Sequence, residues 1–428
     1  MNPVEPLHTQ QTINRRRLLM AIGLGGLNAC AATPLLKGND MQPYATEIMK
    51  WDVTFCRYGL DIDPKGQGDV TTVKENWFKD ADGNIVAKFF TGFGAAWGAG
   101  TTGMGGPSNE GSRLPKTLRM TYYDYLEDKF YKLDAELPQQ QIYELFKQRA
   151  IDKDVNYGQI RGRFDNLRIG VAPHGNVMLW AAGIDQVELK TYYAHELTGL
   201  TRESYNASLP GGTFKLMEDR WRALAAGRIQ PQTIERIKAG WVPSATWYMR
   251  DIRVKYPWRH RLTGNARRIV ELESYQGNAE AQTIGAWEMN IYATSAVMRG
   301  IPKTAKFWFD DLTGKRHHLW VSFSLRDRAL SEKDLSEVRA AFEQMFPKRQ
   351  LEDNAYLPGE KDMATVEVHV GDDFKTFTAS LVKGDLRLPL PIGKHQHFFL
   401  EPYTHWPSIK TEEIAPEVRR LFQHGPGA

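Results

Sequence analysis

The chain has 428 residues, of which 42% are hydrophobic and 25% charged, with a formal net charge of +4. That length and apolar content can bury a proper core in two or three domain-sized units, which excludes a disordered chain, and the small charge excess gives no reason to expect nucleic acid as a partner. Two cysteines, Cys30 and Cys56, exclude a disulfide framework and a multi-thiolate zinc site.

The first predicted element is an export signal. Arg15, Arg16 and Arg17 precede an apolar run from Leu18 to Leu27, followed by Asn28-Ala29-Cys30. The run is shorter than the ~20 residues needed to cross a bilayer, so it reads as a signal peptide. Leu27-Asn28-Ala29-Cys30 resembles a lipobox, which implies lipid on Cys30, and Arg15-Arg16-Arg17-Leu18-Leu19 resembles a twin-arginine signal. Sec and twin-arginine export both stay open. Ala31 after the cysteine favours the outer membrane over the inner. Residues 1–40 are accordingly a signal and tether, and attachment to a membrane is expected through the N-terminal lipid only.

Residues 41–195 are expected to form a first α+β unit. It opens on a strand, Trp51 to Cys56, in which Cys56 is a small buried apolar residue. Residues 57–113 follow as a glycine-rich insertion, with Phe93 and Trp97 set among eight glycines from Gly92 to Gly111. A long loop bearing aromatic residues suggests a contact surface, so Phe93 and Trp97 are candidate partner-binding residues. Gly98-Ala99-Gly100-Thr101-Thr102-Gly103 fits the dinucleotide fingerprint by letter, yet Gly105-Gly106-Pro107 leaves no room for the helix that would hold a pyrophosphate.

Leu114-Pro115-Lys116-Thr117 then opens a strand that turns into a second, alternating one (Tyr131, Leu133, Ala135, Leu137). A helix from Pro138 places Ile142, Leu145 and Phe146 on one face. A hairpin joins Leu167–Val171 to Val177–Ala181 across Pro173-His174-Gly175-Asn176. Residues 196–265 read as a partly helical connector, with helical spacing from Phe214 to Ala225 and again from Ile229 to Lys238. Within it Tyr256-Pro257-Trp258-Arg259 interrupts a strand-like stretch. Trp258 and Arg259, an aromatic beside a rigid donor fork, are further contact candidates, although packing of the Trp with the Arg in solvent is the plainer role.

The pattern returns in residues 266–428. Ile301-Pro302-Lys303-Thr304 repeats the Pro-Lys-Thr signature, Leu319, Val321, Phe323 and Leu325 alternate, and a helix opening at Ser331 carries Leu335, Val338, Phe342 and Met345. A hairpin of Thr365–Val370 and Thr376–Leu381 follows. Trp287-Glu288-Met289-Asn290-Ile291 is taken as the counterpart of Trp51-Asp52-Val53-Thr54-Phe55. The signature Pro follows the leading Trp by 64 positions in the first copy and by 15 in the second, which is why 57–113 reads as an insertion. The fold expected is α+β: two similar antiparallel-sheet halves, each with one main helix, joined by the connector.

Little in the chain reads as catalysis. His395 and His397 alternate near Glu401 and His405, but surface histidines in a tail explain them better than a metal, and His317-His318 point to opposite faces of their strand. The sequence holds no Gly-x-Ser-x-Gly elbow, His-Glu-x-x-His helix or Walker motif. No metal, cofactor or catalytic residue is assigned.

The order of these stretches resembles the bacterial lipoprotein family DUF2931. The pieces that carry the resemblance are Leu114–Thr117 with Tyr122-Tyr123-Asp124, Phe130-Tyr131, Ile169 to Trp180, Tyr256–Arg259 and Ile301–Lys303, with Val171-Ala172-Pro173-His174-Gly175-Asn176-Val177-Met178-Leu179-Trp180 the most specific. They run from about Trp51 to Leu390. Some members resemble immunity lipoproteins encoded beside type VI secretion effectors. The resemblance implies a non-enzymatic binder facing the periplasm whose partner is a secreted effector toxin. A structural or assembly lipoprotein that binds another envelope component is the alternative.

Overall fold

The computed structural model describes residues 42–58, 70–74, 76–93, 95–102, 104–152, 159–210, 215–226, 229–241, 244–285, 288–323, 332–393 and 398–399. The signal segment with Arg15, Arg16, Arg17 and Cys30 lies outside them, as do Trp287, Ser331, His395, His397, Glu401 and His405.

Short alternating strands dominate. The first is β1 (Asp52–Arg57), whose Val53 and Phe55 face one side and Cys56 the other, all buried. β2 (Val70–Thr72) and β3 (Trp77–Lys79) both pair with β6 (Thr117–Asp124), and β4 (Ile85–Phe90) pairs with β3. β5 (Thr101–Thr102) pairs with β1. The described part of the expected glycine-rich insertion therefore contributes several short strands to the sheets: most are too short to show a period of two, and the glycines around them hide it. β6 and β7 (Lys129–Glu136) form a hairpin. α1 (Gln139–Phe146) buries Ile142, Leu145 and Phe146, the face its spacing predicts. β8 (Phe164–Ala172) and β9 (Asn176–Gly183) make the hairpin expected across His174 and Gly175, and β10 (Gln186–Tyr193) follows. β1 runs parallel to β8, from Asp52 opposite Asn166 to Arg57 opposite Val171.

Among its described residues the connector holds four short α-helices, α2 (Arg202–Ser208), α3 (Arg220–Ala226), α4 (Pro231–Lys238) and α5 (Thr246–Met249). α2 starts at Thr201, whose hydroxyl accepts from the Ser204 amide while Ser204 returns the bond.

Then one order of pairings occurs again. β11 (Tyr256–Gly264) runs parallel to β17 (Ala364–Val370), as β1 does to β8. β12 (Ala266–Gln276) pairs with β13 (Ala281–Ile284) and with β15 (Pro302–Asp311). β14 (Met298–Arg299) edges β11. β15 pairs with β16 (Arg316–Ser322), α7 (Glu332–Met345) follows, and β17, β18 (Phe377–Lys383) and β19 (Leu386–Leu390) close the series. The strand that corresponds to Trp51–Phe55 by pairing is thus β11. The segment from Met289 to Thr294 is helix α6, not a strand, and Tyr256-Pro257-Trp258-Arg259 begins a continuous strand instead of interrupting one. Pro257 is tolerated at the start of the strand, where β14 meets only Tyr256 and Pro257.

A ten-stranded sheet runs through both series, joined where β10 meets β13 at Gln186 and Ala281. Two cores result. One lies between that sheet and the sheet of β3, β4, β6 and β7, filled by Val53, Phe55, Phe78, Met120, Ile169 and Leu179. The other starts on the opposite face at Cys56, Met178 and Trp180, runs under the connector through Leu224, Ile237, Trp247 and Tyr248, and continues to Trp258, Phe307, Val321, Leu335 and Val366. No described helix is long and apolar enough to cross a membrane.

Candidate functional site

A cleft opens at the corner at Gly264. Gly264 has φ +75, and a Cβ there would lie closer than 3.0 Å to the carbonyl oxygen of Val370, so only glycine lets the chain turn against β17. Before the corner β11 belongs to the sheet of β17 to β19; after it β12 belongs to the ten-stranded sheet. A cleft of about 820 Å³ lies where the two part, with α6 on one side and Arg316 of β16 and Thr365 of β17 at its margins.

Arginine dominates its walls. Arg259 and Arg261 alternate on β11 with buried His260 and Leu262. Arg267 and Arg268 are consecutive yet both exposed, because a register shift between Ala266 and Arg268 bulges β12 and turns two neighbours outward. Arg268, Asp310 and Arg316 are cross-strand partners on β12, β15 and β16. Arg268 gives its Nε to Asp310 at 2.8 Å and Arg316 gives its Nε at 3.0 Å. A second ladder matches it: Arg261 Nη2 donates to Glu367 at 2.5 Å, and Arg387 Nη1 meets the other oxygen at 2.8 Å. Burial works against both carboxylates, but the paired guanidiniums win and hold each below its ordinary pKa. Arg259 pairs with Glu360 and donates to the Ala293 carbonyl at 2.5 Å. Five guanidiniums therefore meet three carboxylates. Arg267 makes no hydrogen bond or ion pair, and the terminal nitrogens of Arg268 and Arg316 make none among the described residues.

Beneath the cleft, the His260 Nε2 lies 3.0 Å from the Ser274 hydroxyl, and its amide donates to the Tyr292 hydroxyl. By composition this is a hydroxyl beside a base. Yet burial, helped by nearby Arg299, lowers the His260 pKa to about 3, and Ser274 is 1% exposed, so neither reaches a substrate nor accepts a proton near neutrality. The ring–hydroxyl pair ties β11 to β12, and the amide bond to Tyr292 fastens α6 to β11. Arg299 assists, donating to the Trp258 carbonyl at 2.6 Å and lying 4.8 Å from the centre of the Tyr292 ring.

Of the four expected contact residues, the structure places only Arg259 in the cleft. Phe93 and Trp258 are 0% exposed and Trp97 is 2% exposed. Phe93 packs edge-on against Phe55, Trp97 sits between Trp180 and Tyr248, and Trp258 donates its indole N–H to the Gly300 carbonyl at 3.0 Å. All three are core residues, drawn inward because the segment around Phe93 and Trp97 pairs with the sheets instead of looping away from them. Arg261, Arg267, Arg268 and Arg316 went unnoticed in the sequence. Their only local signal is the alternation Arg259-His260-Arg261 and the doublet Arg267-Arg268, which read alone as solvated charge.

Other motifs resolve simply. Thr101 and Thr102 of the glycine fingerprint are strand β5. His317 is buried between the Phe309 and Phe374 rings and bonds Asp311 at 2.8 Å, whereas His318 stacks on Trp308 from the other face. Among the described residues no three His, Cys, Asp or Glu side chains gather as a metal would require.

Residues 37–239 match a family described as protein of unknown function, DUF2931. That stretch, just under half of the chain, is similar to the DUF2931 family. No curated protein and no solved structure matches it. The DUF2931 match ends at residue 239, short of Leu390, so Tyr256–Arg259 and Ile301–Lys303 lie beyond it, as does every cleft residue. Inside the match, the Val171–Trp180 stretch is the β8–β9 hairpin. Its His174 amide donates to Glu127 at 2.7 Å, its Nδ1 lies 3.1 Å from the same carboxylate, and Tyr131 donates its hydroxyl there at 2.7 Å. The most specific DUF2931 piece thus clamps two sheets together.

Proposed function

We propose that this protein is an exported lipoprotein, held at an envelope membrane by lipid on Cys30, and that it acts by binding: an immunity-type protein that occupies and neutralises a secreted toxin acting in the periplasm. The observation that carries the binding reading is the cleft, lined by Arg259, Arg261, Arg267, Arg268 and Arg316, four of which are held in place by buried or neighbouring carboxylates. Surfaces rich in arginine and backed by rigid sheet make contact at low entropic cost. The signal-like N-terminus and the resemblance of the family to immunity lipoproteins support the compartment and the role, and the repeated order of pairings supports a body built as two copies of one plan.

The role is tested by deleting the gene and exposing the strain to each co-encoded secreted toxin. Loss of survival, restored by the wild-type gene, is the expected result, and indifference to every such toxin would refute it. Cys30→Ala is expected to move the protein from the membrane fraction to the soluble periplasm; unchanged fractionation removes the lipid anchor from the reading.

A further inference from the structure

We infer that the cleft grips an acidic, partly apolar segment of a protein partner, with the guanidinium forks of Arg267, Arg268 and Arg316 taking its carboxylates. This deepens the binding reading above and rests on it. Arg268 and Arg316 each spend Nε alone on Asp310, which leaves the terminal nitrogens of both to a ligand. A guanidinium fork presents two parallel N–H groups that match the two oxygens of a carboxylate. Because Asp310 is 6% exposed and holds both arginines from opposite sides, the forks are oriented before a ligand arrives.

The walls decide between anions. Leu262, Ile269, Val270 and Met289 lie among the arginines, so the surface alternates cation with hydrocarbon. A bare phosphate uses only the first kind of contact; a peptide with acidic and aliphatic side chains uses both. The bulge that sets Arg267 beside Arg268 adds a cation with no partner among the described residues, next to the first fork. Opposite charge also speeds the encounter and rejects basic surfaces.

The test uses the full mature chain and a fluorescein-labelled peptide of alternating Glu and Leu, followed by anisotropy at low and at physiological ionic strength. A Lys–Leu peptide, inorganic phosphate and phosphatidylglycerol vesicles serve as comparators. The Glu–Leu peptide is expected to bind, more weakly as salt rises, and the Lys–Leu peptide is not. Arg267→Gln should weaken binding several-fold with no change in melting temperature, since that side chain makes no hydrogen bond or ion pair among the described residues. The double variant Arg268→Lys with Arg316→Lys keeps the charge and the contact to Asp310 but loses the forks, and should weaken binding about tenfold. Arg119→Gln, on β6, should change nothing. Equal affinity across these variants, vesicle binding without peptide binding, or no binding by the wild type would each overturn the inference. A wild-type chain that protects cells yet ignores the peptide defeats this inference alone, and one that binds the peptide but protects no cell defeats the immunity role alone.

Discussion

Gly175→Ala bears directly on why the family's most specific stretch takes the form it does. Gly175 has φ +75 in the turn between β8 and β9, and a Cβ there would lie closer than 3.0 Å to the carbonyl oxygen of Ala194 and 3.0 Å from the Tyr131 ring. The Ala194 amide donates to the Gly175 carbonyl at 2.7 Å, so the two backbones cannot separate without losing that bond. Holding alanine at positive φ costs ~1–2 kcal/mol, and weakening a backbone hydrogen bond adds ~1 kcal/mol. A total of ~2–3 kcal/mol follows, more if Tyr131 also loosens its bond to Glu127. Gly199→Ala is the internal control: φ is +82 there, but nothing lies within 4 Å of the added carbon, so only the backbone strain should appear. Urea unfolding followed by tryptophan fluorescence gives both values. Equal losses for the two variants would refute the close approach as the reason for glycine at 175.

Three further outcomes are expected. Burial pushes the Cys56 thiol up to about 11, so it should resist a thiol reagent in the folded chain and react once after denaturation; fast labelling at neutral pH would contradict this. His260 is neutral when folded, with a pKa of about 3 against an ordinary 6.5, so its contribution is whole above pH 6.5 and falls by ~1.4 kcal/mol per unit as the pH drops from there toward 3. Unfolding curves at descending pH should therefore be steeper for the wild type than for His260→Gln, and parallel curves would sink the assignment. Phe93→Ala and Trp258→Ala should each cost ~3–5 kcal/mol as core truncations; a loss below about 1 kcal/mol in either would return that side chain to the surface.

The local grammar of the sequence carried over well. Pro173-His174-Gly175-Asn176 marks a hairpin because positive φ at His174 and Gly175 is what a tight two-strand turn needs. The α1 and α7 faces were legible from spacing alone. What escaped were relations between distant strands. β1 pairs with β8 and β11 with β17, each across roughly a hundred residues of chain, and a parallel partner leaves no trace beside the strand it joins. Trp287-Glu288-Met289-Asn290-Ile291 matched by letters, yet its described part is helix, so the true counterpart at Tyr256 was passed over. The cleft was hidden for the same reason. Its arginines come from three strands, and what sets them apart, two guanidiniums on one carboxylate, exists only once β12, β15 and β16 lie side by side.

The second core has a practical consequence for anyone who cuts this gene. Tyr248 lies beyond residue 239 and packs edge-on against Tyr58 and tilted against Trp97, while the same apolar mass continues to Trp258. A fragment trimmed to the family match would keep its hairpins but bare an aromatic flank to water. Such a piece should be sticky and poorly soluble on its own, whereas the two series of strands expressed together, even as separate chains, have a ready surface on which to reunite.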